Sequence, residues 1–270
     1  MAIVNRTPDS FYDKGATFAD DAALRRCDDV IAQGARIVDI GGVKAGPGSS
    51  VDAAEEIDRV VPIIAAVAER HPDVLISVDT WRASVADEAI RAGAGLVNDT
   101  WAGFDPELIE VAGQHRVGYV CSHTGGVTPR TRPHRVHFDD VVADVIAETT
   151  RLAERAVSLG VPEERIFLDP THDFGKNTFH GLELLRRIDE IVATGWPVLM
   201  ALSNKDFVGE TVDRPVGERV AGTLAATAWA AARGVAAFRS HEVAETVDVI
   251  RMTAAIAGDA PPLNTIRGLA

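Results

Sequence analysis

Residues 76–100 read ISVDTWRASVADEAIRAGAGLVNDT, and their pattern decides the fold. An apolar, β-branched run ends on Asp79, helix formers follow, Gly93 stops them, and a second apolar run begins at once and ends on Asn98 and Asp99. Short runs that are apolar at nearly every position are strands buried on both faces, as in a parallel sheet. Glycine at a helix C-terminus, with a short turn into a strand, closes a βα unit. The same junction recurs as QGARIVDIGG at Gly34 and ARGVAAFRSH at Gly234.

Working outward, eight such runs are predicted as strands: 2–5, 35–42, 74–80, 95–100, 118–123, 166–170, 197–204 and 236–241. Each ends on polar side chains: Asn5, Asp39, Asp79, Asn98 with Asp99, His123, Asp169, Ser203 with Lys205, and Arg239 with His241. Asn5 to Arg239 is 234 residues over seven intervals, about 33 per unit, the length of a strand, a helix and two loops in a (β/α)8 TIM barrel. Alternating βα units also suit an open doubly wound sheet. Eight units with polar tips, and no GxGxxG after the first strand, favour closure of residues 1–270 into one α/β barrel domain. Amphipathic helices are predicted over 52–70, 139–159, 218–233 and 242–257. In the first, Ile57, Val60, Val61, Ile64, Ala65 and Ala68 form the apolar stripe, with Glu55, Glu56, Asp58 and Glu69 off it.

Composition narrows the function classes. The 270 residues are 46% hydrophobic and carry a formal net charge of −13, so the overall field repels nucleic acid and anionic membranes. Two cysteines, Cys27 and Cys121, have neither disulfide-framework nor metal-ligand spacing and read as packing residues of a protein in a reducing cytoplasm. The chain enters its first strand without a basic, apolar leader, and no run reaches the roughly 18 apolar residues of a membrane span.

Strand tips of such a barrel converge on one face, which makes them the candidate site. Asp79, Asn98 and Asp169 are the sharpest group, because a carboxylate or amide at the end of a buried strand needs a partner. An aminopyrimidinone ring would satisfy all three; capping of the next turn is the alternative for any one of them. Lys205 could bind a ring or, with a lowered pKa, form a Schiff base. Asp39 either orients the site or caps its loop.

Seven motifs in order carry a resemblance: NRTPDSF (5–11), GARIVDIGG (34–42), ISVDTWRASVADEAIRAGA (76–94), LVNDTWAG (96–103), LDPTHDFGK (168–176), LSNK (202–205) and FRSHEV (238–243). Together they resemble the dihydropteroate synthase family, which condenses a dihydropterin bearing a CH2-diphosphate with para-aminobenzoate and releases diphosphate on the way to folate. The resemblance implies that Asp79, Asn98, Asp169 and Lys205 read the pterin. It also implies that Asn5 holds Mg2+ and diphosphate, and that Arg239 and His241 bind the leaving anion. Diphosphate departure leaves a pterin methylene cation, so cationic donors and Mg2+ belong on the anion side. Lys205, Arg239 and His241 are thus the candidate catalytic groups, and a cytoplasmic homodimer through late helices, with the 220–232 helix as a face, is expected.

The pattern also departs from that family. Its GGESTRPG loop reads GGVKAGPG here, so Val43, Lys44, Ala45 and Gly46 stand where Glu, Ser, Thr and Arg are usual. Its SRKS reads Ser203, Asn204, Lys205, Asp206, losing an arginine and gaining an anion, and two glycines of DPGxGFGK have become Thr171 and Asp173. Each charged hydrogen bond removed weakens capture of an anionic substrate by about 1–3 kcal/mol. Asp39, Lys44 and Ser203 are what remains on the second-substrate side. The Arg-rich loop 129–138 reads as solvated rather than as an anion-binding lid. These departures resemble a second, actinobacterial group of family members regarded as lacking synthase activity. The expectation is a retained pterin and diphosphate half-site beside a degraded aminobenzoate loop. Alternatives are an active synthase in which Lys44 replaces the lost arginine, and an enzyme using another pterin or diphosphate ester.

Overall fold

Side chains alternate sides along a strand, and here the alternation builds a barrel interior in two layers. The structure is a computed structural model that describes residues 1–7, 17–131 and 137–267. All eight predicted strands are present: β1 (Ala2–Asn5), β2 (Ile37–Gly41), β3 (Leu75–Asp79), β4 (Leu96–Asp99), β5 (Gly118–Ser122), β6 (Ile166–Asp169), β7 (Leu199–Met200) and β8 (Ala237–Phe238). β1 to β6 form one parallel sheet in sequence order, and β7 pairs with β8. Parallel bridges Leu168–Val198 and Ala2–Ser240 join the two pieces. The Ile3 amide donates to the Ser240 carbonyl at 3.2 Å and the Ser240 amide to the Met1 carbonyl at 3.0 Å. The ring therefore closes, as the TIM-barrel reading requires. β7 and β8 are far shorter than their predicted runs, which continue as irregular backbone toward the tips.

Leu96, Val120 and Leu199 pack with Ile37, Phe167 and Ala237 as an apolar floor inside the ring. Each fully buried member stabilises the fold by about 1.5–3 kcal/mol. Two residues further along the same strands come Asp39, Asn98, Asp169 and Arg239, so the polar layer stands directly above the floor.

Ten helices are present among the described residues: α1 (Asp20–Ala32), α2 (Ala53–Arg70), α3 (Ala83–Arg91), α4 (Leu108–His115), α5 (Val141–Ser158), α6 (Thr178–Arg186), α7 (Ile188–Val192), α8 (Asp206–Val212), α9 (Val220–Ala231) and α10 (Val243–Ala257). Asp52 and Asp140 cap α2 and α5, their side chains accepting from Glu55 N and from Val142 N and Ala143 N. Gly34, Gly93 and Gly234 take positive φ at the predicted helix ends. The buried face of α2 is rotated from its predicted stripe. Glu56 is fully buried and Ala65 exposed, because Arg82 at the start of α3 reaches across and ion-pairs with the Glu56 carboxylate. Cys27 and Cys121 are buried and free, and no helix among the described residues is long and apolar enough to cross a membrane.

Candidate functional site

The tips enclose a cavity of about 420 Å³, with Asn5, Asp79, Lys205, Arg239 and His241 on its wall together with Lys44 from the loop after β2. Asp39, Asn98 and Asp169 lie beneath them, at most 3% exposed. Of the predicted strand-tip residues, Asn5, Asp79, Lys205, Arg239 and His241 line the cavity, whereas Asp99, His123 and Ser203 do not.

A network ties the floor together. Asp39 Oδ1 accepts from Ser77 Oγ at 2.6 Å, and its Oδ2 accepts from Asn98 Nδ2 at 3.1 Å and from Arg239 Nε at 2.6 Å. Arg239 Nη2 donates to Asp79 Oδ2 at 2.7 Å, and Thr100 Oγ1 donates to Asp79 Oδ1 at 3.1 Å. Asn98 Oδ1 is buried with no protein partner, an acceptor left for a ligand N–H. Burial raises the Asp79 pKa to about 7; Arg239 pulls it down and Asp39 pushes it up. Burial also raises Asp169, whose Oδ1 accepts from the Thr171 amide at 2.8 Å.

Asp39 bonds to residues of neighbouring strands rather than to its own loop. Its carboxylate faces the interior and holds Asn98 and Arg239. Arg239, expected on the leaving anion, has its guanidinium engaged by two carboxylates. His241 is held neutral, its pKa pushed down to about 3 chiefly by burial and further by the cations of Arg239 and Lys205.

On the second-substrate side the geometry corrects one expectation. Ser203 is turned from the cavity, because its hydroxyl donates to Glu242 Oε2 at 2.6 Å. Asn204 donates from Nδ2 to Glu242 Oε1 at 2.6 Å, in a left-handed backbone with φ 56°. Lys205 ion-pairs with Asp173 at 2.8 Å, and Asp206, in the first turn of α8, pairs with Arg219 at 2.9 Å. Thr171, standing at the family's glycine position, also has positive φ, 51°, which a β-branched residue adopts only under strain. Its hydroxyl holds the loop by accepting from the His123 amide at 3.2 Å and donating to the Asp169 carbonyl at 3.0 Å.

In the loop after β5, Arg130 is not merely solvated. It donates to the Lys44 carbonyl at 2.7 Å and the Ser49 carbonyl at 2.5 Å, strapping this loop onto the one after β2. Arg132 and Arg135 lie outside the described residues, as do residues 8–11 of the first motif.

Sequence reasoning missed four residues that shape the site. Glu242, 9% exposed, organises Ser203 and Asn204. Trp81, Trp101 and Phe174 build an aromatic wall, with Trp101 edge-on to both rings at centroid distances of 6.4 and 4.6 Å. Val43 and Val127 complete the cluster. The signal was present: Asp-Thr-Trp follows both β3 and β4, at 79–81 and 99–101. The two triplets differ by one residue in phase, so Asp79 faces the cavity. Asp99 turns outward and accepts from Trp101 N at 3.1 Å, Gly103 N at 2.6 Å and Tyr119 Oη at 2.6 Å, fixing the tryptophan's loop. Lys176 fixes Phe174 in turn, its ammonium donating to the carbonyls of His123, Thr171 and Phe174 at 2.8–3.2 Å.

Known proteins resemble the chain over most of its length. The profile of the pterin binding enzyme family matches residues 1–241. Over all of its length the chain is 60% identical to a protein named inactive dihydropteroate synthase 2 from Mycobacterium leprae, covering 94% of it. It is 38% identical over 93% of its length to the dihydropteroate synthase of Bacillus subtilis, covering 86% of that protein. A crystal structure of Yersinia pestis dihydropteroate synthase with a sulfonamide drug complex superposes with a TM-score of 0.90 at 35% identity, covering 96% of this chain and 94% of that one.

Proposed function

The chain belongs to the dihydropteroate synthase family of pterin binding enzymes, and from that premise we propose that it binds a pterin in its cavity without catalysing condensation with para-aminobenzoate. The observation that carries this reading is the contrast between the two sides of one cavity. On the pterin side Asp79, Asn98 and Asp169 keep the family's residues, and Asn98 Oδ1 has no protein partner. On the other side Asn204 replaces an arginine and is fastened to Glu242, and Lys205, expected at the pterin ring, is drawn into an ion pair with Asp173. A benzoate carboxylate would be stripped of water there without the arginine that the family supplies. The name of the Mycobacterium leprae relative supports the same reading.

Asn5, Arg239 and His241 share one wall of the cavity, where they would meet a diphosphate. No group of three or more His, Cys, Asp or Glu among the described residues could hold a metal. The Asn5 amide suits Mg2+ carried on the substrate's phosphates, which commonly takes few protein ligands; when bound, the ion would neutralise the diphosphate. We also propose a cytoplasmic homodimer. Free buried cysteines fit the compartment. An apolar groove between α6, α8 and α9, ending at Trp229, 46% exposed, fits the assembly.

The test is calorimetry with hydroxymethylpterin, together with an assay of diphosphate release from the dihydropterin diphosphate, with Mg2+ and with or without para-aminobenzoate. Binding without release supports the proposal; release that depends on para-aminobenzoate overturns it. The active-synthase reading rests on Lys44, which lines the cavity beside the altered loop, and it requires Lys44→Ala to abolish that release.

A further inference from the structure

The second half of the cavity has a chemistry of its own, beyond the loss of an old one. Trp81, Trp101 and Phe174, with Val43 and Val127, form a continuous apolar wall made from the loops after β2 to β6. The wall is rigidly held. Asp99 pins the loop of Trp101, Lys176 pins that of Phe174, and the Arg82 guanidinium covers Trp81 at 4.6 Å from its ring centroid while pairing with Glu56. Val43 stands where the family's loop carries a glutamate, so the position that supplied charge now adds to the apolar surface.

Among the described residues, two of the three lysines and arginines that line the cavity are held in ion pairs, and the third, Lys44, is carried on the loop after β2. Lys205 is paired with Asp173, Asp206 with Arg219, and Arg239 with both Asp39 and Asp79. Asn204 contributes no charge. An anionic substituent entering here would lose its hydration to a tryptophan and valine surface and, away from Lys44, would have to displace an ion pair to find a cation. A flat, uncharged substituent would gain apolar burial and edge-to-face aromatic contacts at once.

Resting on the pterin reading of the floor, we infer that the ligand class of this cavity is a pterin bearing an uncharged aromatic or aliphatic substituent, not one ending in a carboxylate. The floor selects the bicyclic head, and the aromatic wall selects the tail.

The experiment compares calorimetric affinities, at neutral pH and physiological salt, of hydroxymethylpterin, pteroic acid and anilinomethylpterin, the last being pteroic acid without its carboxylate. Anilinomethylpterin is expected to bind at least about tenfold more tightly than pteroic acid, or about 1.4 kcal/mol. Asp173→Asn removes a carboxylate from the cavity wall and leaves the Lys205 charge uncancelled, which should raise the affinity for pteroic acid until the two differ by no more than about threefold. Asp173 lies on a partly exposed loop, and an unchanged melting temperature would verify that the variant folds. Pteroic acid binding as tightly as its neutral analogue in the unmodified chain would overturn this inference alone. Loss of that binding in Lys44→Ala would then name the carboxylate's partner. An unchanged ratio in folded Asp173→Asn would also overturn it. Failure of hydroxymethylpterin to bind at all would overturn the pterin reading, and this inference with it.

Discussion

Arg239 Nη2 donates to Asp79 Oδ2 at 2.7 Å across the closure of the barrel, joining the last strand tip to the third. Its Nε holds Asp39, which is fully buried. Removing the guanidinium would leave the buried Asp39 carboxylate and the partly exposed Asp79 carboxylate without their cation, a loss of about 3–5 kcal/mol. Arg239→Ala should therefore lower the melting temperature by roughly 6–20 °C. A thermal shift within 2 °C of the unmodified chain would show that the network carries no such energy.

Glu242 is expected to matter almost as much. Glu242→Ala orphans the Ser203 hydroxyl and the Asn204 amide, both buried, and each unsatisfied donor costs about 1–3 kcal/mol. Urea denaturation should register a loss of about 2–6 kcal/mol. Glu242→Gln, which keeps one acceptor oxygen, should recover part of it.

Pterin affinity should depend on pH through Asp79. A pterin N–H needs the ionised carboxylate as acceptor, yet burial raises this pKa to about 7. Below that pH the ligand must displace a proton, so affinity for hydroxymethylpterin should fall about tenfold per pH unit below roughly 7 and level off above it. Asp79→Asn should bind more weakly with a flat profile. Calorimetry across pH 5–9 distinguishes the two, and a slope surviving in the variant would move the effect to another group.

Acid stability follows from buried histidines. Burial lowers His123 to about 4 and both His172 and His241 to about 3, against about 6.5 in the unfolded chain. Between these values the unfolded state binds more protons, so this contribution is complete above about 6.5 and is lost as pH falls toward 3. Asp79 works in the opposite sense between 3.8 and about 7. The melting temperature should therefore drop more gently below pH 6.5 in His172→Gln than in the unmodified chain.

The sequence made the barrel legible because strand runs, stop glycines and polar tips recur with one period, and period is a local property. The positions of Asp79, Asn98 and Asp169 follow from it. What escaped depends on contacts between segments far apart in the chain. Arg239 reaches Asp39 and Asp79 over 200 and 160 residues, so a residue assigned to an anion was met by two carboxylates. Glu242 was visible only as a letter in FRSHEV, and burial is what gives it a role. The twin Asp-Thr-Trp triplets were legible, but their different phases at the strand ends, which send Asp79 inward and Asp99 outward, depend on register. Ser203 misled because a hydroxyl at a strand tip does not announce which way it turns.

The central claim is that one side of the cavity still reads a pterin while the other no longer completes the synthase reaction. The most direct measurement is diphosphate release by the pure chain supplied with the dihydropterin diphosphate, Mg2+ and para-aminobenzoate, with pterin binding measured on the same preparation. Calorimetric binding of hydroxymethylpterin with no release above the rate without protein is expected. Release that requires para-aminobenzoate and disappears in Asp79→Asn would contradict it.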